Sequence, residues 1–182
     1  MKRRIHPFQS LFFVFFIFYM IWILLLFLAP LALPSGSVTD LSGVVGVSDN
    51  DAVIREMPFP WNAVYSVGDQ FCHQKPERSL FLNGNEMPFC SRCVAIWVGL
   101  AFGLGFMVLY SIELNEKFFI AIIFSLVPMG VDGIGQLLGF WESTNVVRIL
   151  TGLPAGMVCG VALGIIFDEL RSMHFIKKID TP

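Results

Sequence analysis

Four long apolar runs dominate the chain: Leu11 to Leu33, Val94 to Tyr110, Phe118 to Leu138 and Val146 to Phe167. A helix rises about 1.5 Å per residue, so the first run, of roughly 23 residues, reaches across a hydrocarbon layer about 30 Å thick. The other three meet or approach that length. A backbone crossing lipid must satisfy its own hydrogen bonds, which a helix does and an open sheet does not. The polar pieces Ser111 to Lys117 and Gly139 to Asn145 are too short to join anything but antiparallel neighbours. The expected fold is an all-α membrane protein of four transmembrane helices, and the lipid bilayer is its first partner. A hydrophobic share of 55% with only 14% charged residues places the composition far from that of a soluble domain. With a net charge of -2 and no large basic surface, nucleic-acid binding has no support.

The first run reads as an uncleaved signal anchor. A cleaved signal peptide would carry an apolar stretch of about 7–15 residues and a small-residue cleavage site, and Pro30 and Pro34 stand where that site would fall. Both termini in the cytoplasm would put Lys2, Arg3, Arg4, Lys117, Arg171, Lys177 and Lys178 inside, with Arg55, Lys75, Arg78, Arg92 and Arg148 outside. This agrees with the preference of basic residues for the cytoplasmic side. The expectation is a multi-pass protein of the cell membrane, divided into a tail and anchor (1–34), a loop outside the cytoplasm (35–92), a three-span bundle (93–168) and a cytoplasmic tail (169–182). Within the loop, 35–56 reads as exposed, with room for a short strand pair. Residues 57–71 read as a short helix at headgroup level, with Phe59, Trp61, Tyr65 and Phe71 near helical spacing.

Three of the four cysteines lie between Phe71 and Val94. Cys90 and Cys93 form a C-x-x-C pair where the second span begins, and both a helix amino terminus and Arg92 favour thiolate there. Cys72 and His73, about 18 residues upstream, complete a set of three sulfur donors and one nitrogen that suits a tetrahedral zinc-type metal. Two other uses of the same thiols stay open: a disulfide stapling the loop, and an exchanging redox pair with Cys72 as resolving thiol. Cys159, inside the fourth span, is expected to be a small packed residue.

A second group of polar residues lies at membrane depth. Asp132 and Gln136 are four apart and share a helix face. An ionisable group there is costly without a partner, so Asp132 is expected to pair with Arg148 or another outer arginine. Arg78, Arg92 and Arg148, with Asn145, would form a polar pocket for an anionic lipid headgroup or small anionic ligand, because a guanidinium fork matches its oxygens. Ser143 and Thr144 read as helix caps, and Pro128 and Pro154 as kinks. Gly152, Gly156, Gly160 and Gly164 strip one face of the fourth span. Gly99 and Gly103, and Gly135 and Gly139, would offer matching surfaces, and such faces would also suit a second copy of the chain. No nucleophile-base set, phosphate-cradling loop or dinucleotide fingerprint is visible, so an ordinary hydrolase or cofactor enzyme has no support.

CHQKPERSLFLNG from Cys72 to Gly84, PFCSRCVAIWVG from Pro88 to Gly99, PMGVDGIGQ from Pro128 to Gln136 and ESTNVVRILTG from Glu142 to Gly152 resemble the predicted membrane proteins grouped as domain of unknown function 2085. The resemblance covers most of Phe71 to Phe167. It implies a helical membrane fold and a shared motif set but no reaction. Where the family pattern would carry Thr-Gly after the second motif cysteine, this chain has Val94 and Ala95.

Overall fold

The computed structural model describes residues 2–3 and 11–179, with side chains from 12 to 170, so His6 and the side chains of the terminal basic clusters lie outside the described residues. In chain order the elements are β1 (Lys2–Arg3), α1 (Leu11–Ala32), α2 (Asp51–Arg55), α3 (Trp61–Phe71), β2 (Ser79–Leu82), β3 (Asn85–Cys90), α4 (Ser91–Leu109), β4 (Tyr110–Ser111), α5 (Glu116–Leu137) and α6 (Asn145–Ile179). Helices α1, α4, α5 and the Asn145–Leu170 part of α6 are long and apolar enough to cross a membrane. The expected kinks do not break them, since α5 runs unbroken through Pro128 and α6 through Pro154. The boundary drawn at 168 is no break either, because α6 continues to Ile179. Helix α4 starts three residues before the expected span. Its polar first turn, Ser91 to Cys93, is covered by neighbouring elements and therefore stays helical.

The tightest helix pair is not a sequential one. Helices α4 and α6 run parallel, with their glycines meeting the opposite backbone in step. A Cβ added to Gly99 would collide with the Leu153 carbonyl, one on Gly103 with the Met157 carbonyl, and one on Gly156 with the Ile96 carbonyl. The ladder on α6 is therefore spent on α4, and those faces are covered within the chain. Gly135 and Gly139 take no part in this contact, contrary to expectation. Gly135 lies beneath the Trp141 indole, and Gly139, at φ 76°, ends α5 in the left-handed region. There the N–H of Phe140 bonds to the Gly135 carbonyl at 2.9 Å and that of Gly139 to Gln136 at 3.2 Å. Cys159 faces outward rather than packing as expected. The outer face of α5 carries Ile120, Ile123, Phe124, Val127, Val131 and Ile134 exposed, a surface that suits lipid.

Residues 33–90 fold into a cap over the end of the bundle where α1 finishes and α4 and α6 begin. The strand pair lies not in 35–56 but in β2 and β3, which pair antiparallel with Phe81 opposite Glu86 and Leu82 opposite Asn85. Asn83 (φ 54°) and Gly84 (φ 72°) make the two-residue turn, which asks for positive φ at both positions. The segment 35–56 is largely exposed, as expected, and is stitched to this hairpin through Val38, Leu41 and Ile54, which are buried. Val38 N–H donates to Asn85 Oδ1 at 3.0 Å, Glu86 N–H to the Val38 carbonyl at 2.7 Å, and Asn85 Nδ2 to the Pro30 carbonyl at 2.9 Å. Around these bonds Leu33, Leu41, Ile54, Met57, Val64, Tyr65, Met87 and Phe89 are buried against Leu26 and Ala29 of α1. Burying such a side chain away from water contributes about 1.5–3 kcal/mol, and this drives the cap in a way that lipid-facing positions do not.

Glu86 is a costly member of this core. It is fully buried, its Oε2 accepts the Leu41 N–H at 3.1 Å, and its Oε1 has no hydrogen-bond partner. Loss of water lifts its carboxyl from an ordinary 4.5 to about 7, against the pull of that N–H. The folded cap thus holds the proton more tightly than the unfolded chain. This contribution to stability is complete below pH 4.5 and is lost as pH rises through about 7. Hydrogen exchange of the hairpin amides, corrected for intrinsic rates, should show protection falling from pH 5 to pH 8 in the native chain and staying level in Glu86→Gln. For the bundle, Gly156→Ala should lower the thermal midpoint in detergent by an amount equivalent to about 1–3 kcal/mol of overpacking. Gly130→Ala, with no atom within 4 Å of the added carbon, should not lower it.

Candidate functional site

Three elements bring the thiols together. Cys72 caps the carboxyl end of α3, its N–H bonded to the Gly68 carbonyl at 2.9 Å. Cys90 ends β3 and caps the amino end of α4, and Cys93 lies in the first turn of that helix. Gly68 lets α3 approach the hairpin, since a Cβ there would run into the Pro88 carbonyl. The Sγ atoms of Cys90 and Cys93 are 3.4 Å apart, those of Cys72 and Cys93 4.0 Å, and all three lie within 4.8 Å of one another. The Cys90 N–H also donates to Cys72 Sγ at 3.2 Å. Cys90 is pushed down in pKa, because Cys72 and Cys93 both hydrogen-bond to its sulfur and the start of α4 presents backbone N–H groups to it. Cys72 is pushed up, first by its bond to Cys90 and then by burial.

His73 does not join the three sulfurs as a ligand-distance group. The chain is extended at Cys72, so successive side chains point to opposite sides, and Gln74 then turns into the left-handed region at φ 43°. Cys72 and Gln74 are buried while His73 is exposed at the rim. Gln74 holds this turn by donating to the Pro88 carbonyl at 2.9 Å.

The second group converges at the same end of the bundle. Asp132, 6% exposed, is paired with Arg92 rather than Arg148, and it also accepts from Ser143 Oγ at 2.8 Å and Trp141 Nε1 at 3.3 Å. Ser143 thus serves Asp132, and the capping duty falls to Thr144, whose Oγ1 accepts the Val147 N–H at 3.3 Å. Gln136, with its amide oxygen turned to the guanidinium groups, accepts from Arg148 Nη2 at 2.8 Å and Arg78 Nη2 at 3.2 Å. Asn145 accepts from Ser91 Oγ at 2.8 Å and Arg148 Nη1 at 3.1 Å, and donates to the Ser79 carbonyl at 3.1 Å. Between the two groups lies a half-open cavity of about 230 Å³ lined by His73, Lys75, Arg78, Cys90, Arg92, Cys93, Gln136 and Arg148.

Sequence reasoning missed some members of this site. Ser91 joins α4 to Asn145, and Trp141 reaches Asp132 from the connection after α5. The clue to Trp141 was Gly135, one turn after Asp132, which leaves the room the indole fills. The clue to the hairpin was the Asn83-Gly84 pair after the apolar run Leu80 to Leu82.

The profile of a family described as predicted membrane protein (DUF2085) matches residues 72–162. A protein of Methanocaldococcus jannaschii, described as uncharacterized, is 35% identical over 119 residues, which cover 62% of this chain and 73% of that protein. An uncharacterized protein of Methanothermobacter thermautotrophicus is 35% identical over 108 residues, 59% of this chain and 92% of its own length. No solved structure matches. The chain is a helical protein of the membrane class, built on four apolar helices with a polar cluster at one end. It belongs to the DUF2085 family of predicted membrane proteins, and the matched residues run from Cys72 to Ala162 in α6, past Gly160 of the glycine ladder.

Breaking one partner of a buried ion pair costs about 3–5 kcal/mol, because the other charge is left without compensation. Asp132→Asn and Arg92→Gln should each lower the unfolding free energy in detergent by an amount of that order. The double variant should lose clearly less than the sum, as a double-mutant cycle of denaturation midpoints would read.

Proposed function

We propose that this membrane protein holds a zinc-type metal ion on the thiolates of Cys72, Cys90 and Cys93, in a site on the non-cytoplasmic face. The cap side is assigned by the Lys and Arg distribution, with both termini in the cytoplasm. The observation that carries the reading is the meeting of three sulfurs drawn from positions 18 and 21 residues apart. Zinc–thiolate bonds of about 2.3 Å at tetrahedral angles require sulfurs about 3.8 Å apart, and the separations of 3.4 and 4.0 Å fall on either side of that value. A disulfide would use two of the thiols and leave the third buried and unused, whereas a metal ion uses all three. Three thiolates and a divalent ion carry a net negative charge, which the amino end of α4 and the adjacent Arg92 offset. Cys90 and Cys93 line the arginine-rich cavity, and His73 at its rim is the chain's own candidate for a fourth donor.

A second reading, membrane thiol–disulfide exchange, is favoured by the acidified Cys90 thiol next to Cys93. The two readings separate in one purified sample. Elemental analysis of detergent-purified, reduced protein should find close to one metal per chain, falling to background in Cys72→Ser, Cys90→Ser and Cys93→Ser. Cobalt substitution should give thiolate charge-transfer absorption, and all three thiols should resist alkylation until a chelator is added. Metal-free protein with a reversible Cys90–Cys93 disulfide would instead establish the exchange reading.

A further inference from the structure

Apart from the Cys90 and Cys93 thiols, nothing in the lining of the cavity beside them offers negative charge to its cations. Its lining includes Lys75, Arg78, Arg92 and Arg148 and no carboxylate. Arg92 is matched by Asp132 behind it. Arg148 is 4% exposed, and among the described residues it meets neutral oxygens, from Asn145 and from Gln136. Arg78 reaches the same Gln136 oxygen, so two guanidinium groups share one neutral acceptor. The nearest carboxylate to Arg78 is Glu77, at 3.8 Å and largely exposed, where screening by water leaves it little hold. Two like charges brought together, one buried and the other partly so, are unfavourable without an anion to join them. The amino ends of α4 and α6 lie at this end of the bundle and add the positive poles of two helix dipoles.

We infer that this cavity binds a tetrahedral oxyanion, a phosphate or phosphate monoester, whether free or as the headgroup of a lipid. One guanidinium fork saturates a planar carboxylate. Two forks arriving from different elements, Arg78 from the turn before β2 and Arg148 from α6, suit a group with three or more equivalent oxygens and about two negative charges. Gln136 is the positioning residue, because it holds both forks on one side of the cavity. At about 230 Å³ the space is below the roughly 300–1,000 Å³ of sites for whole drug-sized ligands, which favours a head group over a nucleotide. The inference goes beyond the metal reading and does not depend on it, since Arg78 and Arg148 are held by Gln136 and Asn145 rather than by the thiols.

The test titrates the full chain in detergent with inorganic phosphate, and in parallel measures its binding to phosphatidylcholine vesicles with and without phosphatidic acid. Saturable binding of about one phosphate per chain, or of the chain to phosphatidic acid, is expected, weakened at least tenfold by Arg148→Gln and by Arg78→Gln. Arg78, with 34% of its side chain exposed, is the variant that leaves the bundle intact should Arg148→Gln fail to fold. Saturation by phosphate alone assigns a soluble oxyanion, and saturation by phosphatidic acid alone assigns a headgroup. No saturable binding to either, or binding unchanged in Arg78→Gln, overturns the inference. Metal content is measured on the same samples. Phosphate bound by metal-free protein would defeat only the metal reading, and one metal per chain without phosphate binding would defeat only this one.

Discussion

The arrangement depends on the contact between the backbones of α4 and α6. Inside lipid an apolar side chain gains little by leaving acyl chains for protein, so two helices stay together when their surfaces fit closely enough for dispersion to accumulate. Glycines alternate across this contact, Gly99 and Gly103 from one helix and Gly156 and Gly160 from the other, and each meets a carbonyl or an amide of its partner. The helices meet in parallel, as alternate crossings must. Both amino ends therefore come to the same end of the bundle, and the bond from Ser91 to Asn145 joins them. Helix α5 returns the chain between them and delivers Asp132 and Gln136, one turn apart, to that junction.

The spacing Cys90-Ser91-Arg92-Cys93 explains how one helix end serves two neighbours at once. Residues 90 and 93 are three apart and share a side of the first turn, whereas Arg92 lies well around the helix from Cys90. The sulfurs accordingly face Cys72 of the cap, while the guanidinium turns to Asp132 of α5. Gly133 leaves space for that guanidinium, whose Nη1 would lie 3.4 Å from an added Cβ. Arg92 is thus shared by the thiol cluster and the polar network, and its charge lowers the cost of negative charge in both.

Much of this was legible in the sequence because the cause was local. The four apolar lengths, the C-x-x-C at a helix start, the shared face of Asp132 and Gln136 and the small-residue ladder all follow from helix period and composition. What was hidden depended on distant chain. The preference of Asp132 for Arg92 over Arg148 follows from the direction and register of α4 against α6, which no local pattern records. The outward turn of His73 depends on the buried amide of Gln74 finding the Pro88 carbonyl. Ser143 looked like a cap because serine before a helix usually is one, and a carboxylate from another helix outbid the backbone for its hydroxyl. The hairpin was the exception: its Asn-Gly signal was local and in plain view.

Two different forces meet at the junction of Cys90 and Ser91. The cap is held by burial of apolar side chains away from water, around Tyr65, Met87 and Phe89, and by a fully enclosed set of polar contacts from Asn85, Glu86 and Gln74. The bundle is held by close packing and by charge pairing at its polar end. Cys72 belongs wholly to the first and Arg148 wholly to the second, and Cys90 and Cys93 stand on the boundary. Loosening the cap would withdraw Cys72 and Arg78 and leave Arg92 and Arg148 in place. Loosening α5 from its neighbours would part Asp132 and Gln136 from the arginines they hold, while the cap's core, packed on α1, stays. Glu86, buried in the cap, ties the stability of the hairpin that carries Cys90 to pH.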